Sequence, residues 1–216
     1  MRDLILVGGG EHARVIADAV AAARSHRVLG FVDPNPYAVA ESSGLRYLGP
    51  DEALREHAAV DLILGFGSLG PGDRRATVAE RLAAAGFRFA TVVHPAAIIS
   101  PGAVIEAGAF IGAGAIVQTG AVVGAHALVN TGVILEHDVQ LAPHVQLATR
   151  VTLGGGVLVG RAAFIGMGAT VRDHRRIGAR AVIGMGAVVV ADVPPEARVA
   201  GVPARTMLAP AEAAAP

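Results

Sequence analysis

The chain has 216 residues, with 18 basic and 18 acidic side chains and a formal net charge of zero, so charge gives no argument for nucleic acid or an anionic membrane surface as partner. The absence of cysteine excludes disulfides, thiolate zinc sites and thiol nucleophiles. More than half of the residues are apolar, yet aromatics make up only 4% and there is no Trp, so the core has to be filled by Val, Ile, Leu and Ala, which favours a narrow, regular β-core.

The opening MRDLILVGGG is too short an apolar run for a signal peptide and reads as a strand. No segment approaches the roughly 18 apolar residues of a membrane span, and the cytoplasm is the expected location. A strand is predicted over 4–7, broken by Gly8-Gly9-Gly10, then a helix over 12–24 with Val15, Ile16, Ala19 and Val20 at helical spacing. Strands are predicted over 27–32, 61–66 and 88–93, and helices over 51–57 and 74–85. This alternation implies a small parallel sheet with helices on its faces. Gly8-Gly9-Gly10-Glu11-His12-Ala13 satisfies G-x-G-x-x-A between a strand and a helix, and Asp33 ends the next strand. Only one mononucleotide-binding half fits before residue 95, so a bound dinucleotide is not expected.

From Pro95 on, a repeat of six replaces helical periodicity. Every sixth residue from Ile99 to Val189 is aliphatic, and the residue four later is Ala or Val throughout, except at Arg175. Three hexads make a triangular coil of 18 residues, with the aliphatic pointing inward and the glycine that often follows it taking the bend. Coils stacked about 4.8 Å apart give a prism roughly 25 Å tall. The expected organisation is an α/β Rossmann-like domain over 1–95, a parallel β-helix over 96–208 and a flexible tail over 209–216.

The hexads, the preceding strand–helix domain and Gly201-Val202-Pro203-Ala204-Arg205 together resemble the hexapeptide-repeat sugar acetyltransferases with an N-terminal Rossmann-like domain. That family includes nucleotide-amino-sugar N-acetyltransferases and sialic acid O-acetyltransferases. The resemblance is sharpest over residues 130–138, NTGVILEHD. It implies a left-handed helix, a homotrimer with active sites between subunits, acetyl-CoA as cosubstrate and no metal. The activity it implies is acetylation of the amino group of a UDP- or GDP-linked 4-amino-deoxysugar for surface glycans. Sialic-acid-type O-acetylation and a non-catalytic nucleotide-sugar scaffold are the alternatives. A β-helix carbonic anhydrase would need three zinc-binding histidines, and His126, His137 and His144 lack the close pair of that family.

Glu136-His137-Asp138 gathers three ionisable groups at one corner. Acetyl transfer to an amine or hydroxyl needs a proton acceptor, and a neutral imidazole suits that task. By resemblance His137 is the base and Asp138 orients it or raises its basicity; the bland reading is a solvated corner histidine. Gly155 and Gly156 fall one coil above His137 and Asp138, where their missing side chains would leave space for a thioester. Asn130 matches a position near the acceptor, or is a corner Asn chosen for backbone tolerance. Where the family often carries a second histidine, nine residues after the base, this chain has Gln146, which can still donate a hydrogen bond to a carbonyl. Gln146, Gly155, Met167 and Met185 are the positions implied to line the acetyl-CoA groove. Gly10, Glu11, His12, Asp33 and Gly67 are implied to meet the nucleotide-sugar, with Asp33 on the nucleoside, Gly67 beside the base and Glu11 turned away from phosphate. His144 lies one coil above His126, and the two are expected to stack on the surface.

Overall fold

The computed structural model describes residues 1–38, 44–67 and 74–207. The tail expected over 209–216 lies outside the described residues. The N-terminal part runs β1 (Arg2–Val7), α1 (Glu11–Ala23), β2 (His26–Val32), β3 (Tyr47–Gly49), a 3₁₀ helix (Asp51–His57), β4 (Asp61–Leu64), α2 (Arg74–Ala84) and β5 (Arg88–Phe89). These five strands form one parallel sheet in the order β3-β2-β1-β4-β5. β4 is buried along its whole length and β1 over Leu4–Val7, the pattern of a parallel sheet covered on both faces. Ile5, Val7, Leu62 and Leu64 pack toward Leu54, Ala79 and Leu82 on one side. Leu4, Leu6 and Ile63 pack toward α1 on the other, through Ala13, Ile16, Ala19 and Val20.

The single strand expected over 88–93 is divided. The Ala90 amide donates to Leu62 of the α/β sheet, whereas the Val92 amide donates to Ala109 and Val92–Val93 pairs with Phe110–Ile111. Val93 stands six residues before Ile99, so the hexad register begins one repeat earlier than Ile99. From there each hexad supplies one two-residue strand to one of three parallel sheets. The pairing offset is 18 residues throughout, for example Ile98 with Ile116 and Ile116 with Ile134. The result is a left-handed parallel β-helix whose inward aliphatic and small residues form one continuous core. After Val189 the last turn is shortened: Val193 bridges Ile177, Val199 pairs with Ile183, and Arg205–Thr206 folds back antiparallel on Val199–Ala200.

The glycines that follow the aliphatic have a different cause from the one expected. Left-handed backbone occurs three residues after the aliphatic, at positions such as Gly114, His126, Asp138, His144 and Gly156. The glycines directly after it avoid collision with the next coil: a Cβ on Gly160 would lie 2.5 Å from the Ala179 nitrogen, and one on Gly112 2.8 Å from the Thr131 nitrogen.

The first prism face carries the α/β domain. Its strands put Val93, Ile111, Val129, Leu147 and Ile165 inward, so Val92, Phe110, Leu128, Gln146 and Phe164 point outward. Val92, Phe110 and Leu128 are nonetheless buried, in one cluster with α1 and β1. The same cover changes the expected fate of His126 and His144. Their rings do stack, with centroids 5.1 Å apart and planes within 5°, but His144 is buried rather than on the surface, and Phe89 of β5 meets the His126 ring edge-on at 4.6 Å. Among the described residues no helix is long and apolar enough to cross a membrane.

The two kinds of glycine predict different costs. Gly160→Ala should destabilise the fold by about 2–3 kcal/mol through the backbone collision. Gly114→Ala, with open space around it but φ of +67°, should cost only about 1 kcal/mol. Denaturant unfolding of both variants checks the ranking, and equal costs would contradict it.

Candidate functional site

The strand order of the α/β sheet reverses between β1 and β4, and ligands of such sheets bind beyond the carboxyl ends of the strands at that point. The loops leaving β1 and β4 come into contact here: a Cβ on Gly65 would lie 2.4 Å from the Gly8 carbonyl oxygen. Gly10 starts α1 with no side-chain cap and with nothing within 4 Å of its missing Cβ. The uncapped first turn of α1 lines a cavity through Gly10, Glu11 and His12, and helix N-termini of this kind suit an anion. The Asp33 carboxylate is engaged by the backbone, with Oδ2 accepting from the Gly9 amide at 2.7 Å and Oδ1 from the Asn35 amide at 2.8 Å.

Two cavities flank the Gly10 loop. The larger, about 360 Å³, lies between the α/β domain and the prism and brings together Gly10, Glu11, His12, Gly67, Asn130 and Gln146, with Phe66, Leu128, Ala148 and Phe164 supplying apolar wall. The smaller, about 350 Å³, is lined by Asp33, Asp51, Arg74, Gly10 and Phe66, among others. Gly10 and Phe66 belong to both. Asp33 and Gly67, both expected beside the nucleoside, therefore stand in different cavities. Gln146, expected with the acetyl-CoA set, shares the larger cavity with residues expected at the nucleotide-sugar; it is buried, and a Cβ on Gly67 would lie 3.5 Å from its Oε1.

Arg75 was not singled out by the sequence reading, yet it joins the parts of this site. It is fully buried, donates to the Phe66 carbonyl and, at 3.2 Å, to the His126 carbonyl, and so ties the loop after β4 to the prism. Burial lowers its pKa to about 10, which leaves it charged at neutral pH. The signal was present in α2: Arg75 lies on the helix's buried stripe with Ala76, Ala79 and Leu82, where a cation requires a buried acceptor. His12 packs edge-on against Phe110 at 5.3 Å. Burial, and then the Arg75 charge, push its pKa down to about 4. His144 is lowered to about 4 chiefly by burial, with His126, Arg161 and Arg75 adding to it and Glu80 opposing.

His137 stands apart from both cavities. It follows Ile134–Leu135 of the second face, at the edge shared with the third face, whereas Asn130 follows Leu128–Val129 at the edge between the first and second. Asp138 has φ of +59°, and its Oδ2 lies 3.0 Å from His137 Nδ1. A carboxylate only accepts, so Nδ1 carries the proton and Nε2 keeps its lone pair when the ring is neutral. The ring lies against Gly155: a Cβ there would be 2.5 Å from Nε2. The room above His137 is thus filled by the imidazole itself, not left for a thioester as expected, and the room above Asp138, at Gly156, is filled by the His174 ring. The His137 side chain remains 57% exposed, so a substrate there needs a second wall. Met167 and Met185 are also exposed, on the Asn130 edge two and three coils farther along.

The coils of three hexads behind an α/β domain are the architecture of a hexapeptide-repeat acyltransferase. The PglD N-terminal domain model matches residues 3–82, and no curated protein matches the chain. Among solved structures, the GDP-perosamine N-acetyltransferase of Caulobacter crescentus is 30% identical, with a TM-score of 0.87 over 97% of this chain and 98% of that one; it carries a His→Ala substitution and is in complex with CoA and GDP-perosamine. The acetyltransferase domain of PglB from Neisseria gonorrhoeae, in complex with acetyl coenzyme A, is 31% identical, with a TM-score of 0.88 over 95% and 99% of the two chains. WeeI from Acinetobacter baumannii, at 18% identity and a TM-score of 0.77, shares the fold. The chain belongs to this family of hexapeptide-repeat sugar acetyltransferases with a PglD-type N-terminal domain.

The buried histidines make the domain junction acid-sensitive. Both His12 and His144 bind a proton less readily folded than unfolded, so their contribution to stability is whole above about pH 6.5 and is lost as pH falls toward 4. Unfolding free energy should therefore fall between pH 6.5 and 5, above the range where most carboxylates titrate. His12→Gln and His144→Gln should each flatten that slope. A slope unchanged in both variants would contradict the assignment.

Proposed function

We propose that the protein transfers the acetyl group of acetyl-CoA to the amino group of a nucleotide-linked amino-deoxysugar, with His137 as general base, in a homotrimer whose sites lie between subunits. The observation that carries the reading is the His137–Asp138 pair, with Nδ1 bound to the carboxylate and Nε2 free, on an exposed prism edge. The amine nitrogen attacks the thioester carbonyl carbon while Nε2 takes the amine proton. Collapse of the tetrahedral adduct breaks the C–S bond, and the imidazolium returns the proton to the departing thiolate, leaving the amide and CoA. Asp138 holds the ring in the tautomer the step needs.

The larger cavity supports an amino-sugar acceptor. Leu128, Ala148, Phe66 and Phe164 offer apolar wall, while Asn130 and Gln146 are neutral polar residues of the lining. Gly10, Glu11 and His12 meet the sugar end of the nucleotide-sugar from the α1 side. Gly155 seats the base, and Met167 and Met185 extend along the groove for acetyl-CoA. The relatives support the pairing of substrates: one holds CoA together with GDP-perosamine, another acetyl coenzyme A. The product would serve the assembly of surface glycans.

His137→Ala should lower kcat/KM by about 100-fold or more while sedimentation still reports the wild-type assembly; near-normal turnover would sink the role. Gly155→Ala, which pushes the ring from its seat, should cost about tenfold or more. Thiol release from acetyl-CoA, screened over UDP- and GDP-linked 4-amino sugars and over sialic acids, identifies the acceptor. Release with sialic acids alone would transfer the reading to O-acetylation, and no release with any acceptor would favour the scaffold.

A further inference from the structure

We infer that Arg74 is the cation that pairs with the diphosphate of the nucleotide-sugar; the inference rests on the nucleotide-sugar reading above, in which Asp33 meets the nucleoside and so puts it in the smaller cavity. The two cavities meet at Gly10 and Phe66, so one elongated ligand can occupy both. Its acceptor sugar would lie in the larger, between the α/β domain and the prism, and its nucleoside in the smaller. The diphosphate then falls at the junction, at the uncapped first turn of α1.

Charge makes a cation necessary there. The described residues lining the two cavities include three carboxylates, Glu11, Asp33 and Asp51, and one cation, Arg74. A diphosphate ester adds about two further negative charges, and like charges at such spacing repel strongly in a partly desolvated cleft. Two other guanidinium groups among the described residues of α2 are committed. Arg81 pairs with Asp51, and Arg75 is buried against the Phe66 and His126 carbonyls. Asp33 has both oxygens on backbone amides, so it does not draw Arg74 away. The Arg74 guanidinium carbon lies 5.0 Å from the centroid of the Phe66 ring, and that of Arg75 5.8 Å. Because Arg75 also holds the Phe66 carbonyl, the ring is a fixed platform. Stacking on it places the free guanidinium at the wall common to both cavities, with its N–H groups available for bidentate contact to phosphate.

The test is calorimetric titration of the intact protein, without acetyl-CoA, with GDP, UDP, guanosine and uridine. The wild type should bind one diphosphate more tightly than its nucleoside, with an affinity that falls as salt rises. In Arg74→Gln the diphosphate affinity should fall about tenfold or more, with nucleoside affinity kept and the salt dependence flattened; Arg74→Lys should lie between. A Gln variant that binds the diphosphate as the wild type does would overturn the assignment of Arg74. An equal loss for nucleoside and diphosphate would overturn it as well, since Arg74 would then shape the cavity rather than pair with phosphate. Wild-type protein that binds neither GDP nor UDP would instead overturn the nucleotide-sugar reading on which the inference rests.

Discussion

Phe110 and Leu128 point out of the prism, yet they are buried, because α1 closes over them. An outward position on a β-helix wall normally meets solvent; here it is the far side of the α/β domain's own core. Burying two such side chains contributes on the order of 2–3 kcal/mol each as an upper estimate. The contact also sets the height of the α/β domain along the prism. Given that height, the next outward residues of the same column, Gln146 and then Phe164, stand opposite the loops after β1 and β4 and become the wall of a cavity. Moving the domain by one coil would exchange Gln146 for Leu128 or Phe164 and change the chemistry of that wall.

The inward column was legible from the sequence because its period is unbroken and its physical demand is simple: one aliphatic per hexad fills the prism. The outward column was harder to read, since one residue in eighteen on one face carries the signal. Phe110 and Leu128 are large apolar residues where solvent is the default, a signal of the docking face that the hexad pattern alone did not bring out. The start of the helix at Val93 was hidden because strand β5 runs almost directly into the first hexad. The glycines were placed correctly but for the wrong reason, since periodicity shows where the side chain is missing and only the coil above shows why. His126 and His144 were paired by register alone, but their burial depends on the domain that covers them, which no local pattern reports.

Most residues of the candidate site were also legible one at a time, but their grouping was not. Gly10, Glu11, His12, Gly67 and Asn130 share a cavity, while Asp33 falls across the Gly10 loop in the other. Sequence motifs fix a residue to its loop, and the division of a cleft depends on how two loops approach each other. Arg75 is the clearest omission. A buried guanidinium without a carboxylate is unfavourable for stability, and carbonyl dipoles from Phe66 and His126 satisfy it only in part, since its Nε has no partner. Burial, with the same charge as a lesser contribution, keeps His12 and His144 neutral. Arg75 ties the Phe66 carbonyl, and with it a residue that lines both cavities, to the prism at His126.

His137 and the larger cavity lie on different edges of one rigid prism. Backbone hydrogen bonds along all three faces tie each coil to the next, so no rotamer change and no loop motion carries an imidazole from one edge to another. A base that acts on an amine held in the cavity must then belong to another copy of the chain, presented by the edge that carries His137. The homotrimer proposed above would satisfy this with one kind of contact, each chain's His137 edge facing the next chain's Asn130 edge until the ring closes. The exposed Met167 and Met185 lie on the Asn130 edge and Gly155 on the His137 edge. The four positions the resemblance assigns to acetyl-CoA are therefore split in a single chain and reunited across such a contact. If His137 is the base and the cavity holds the acceptor, the separation of the two edges in one chain would be the geometric reason for an assembly.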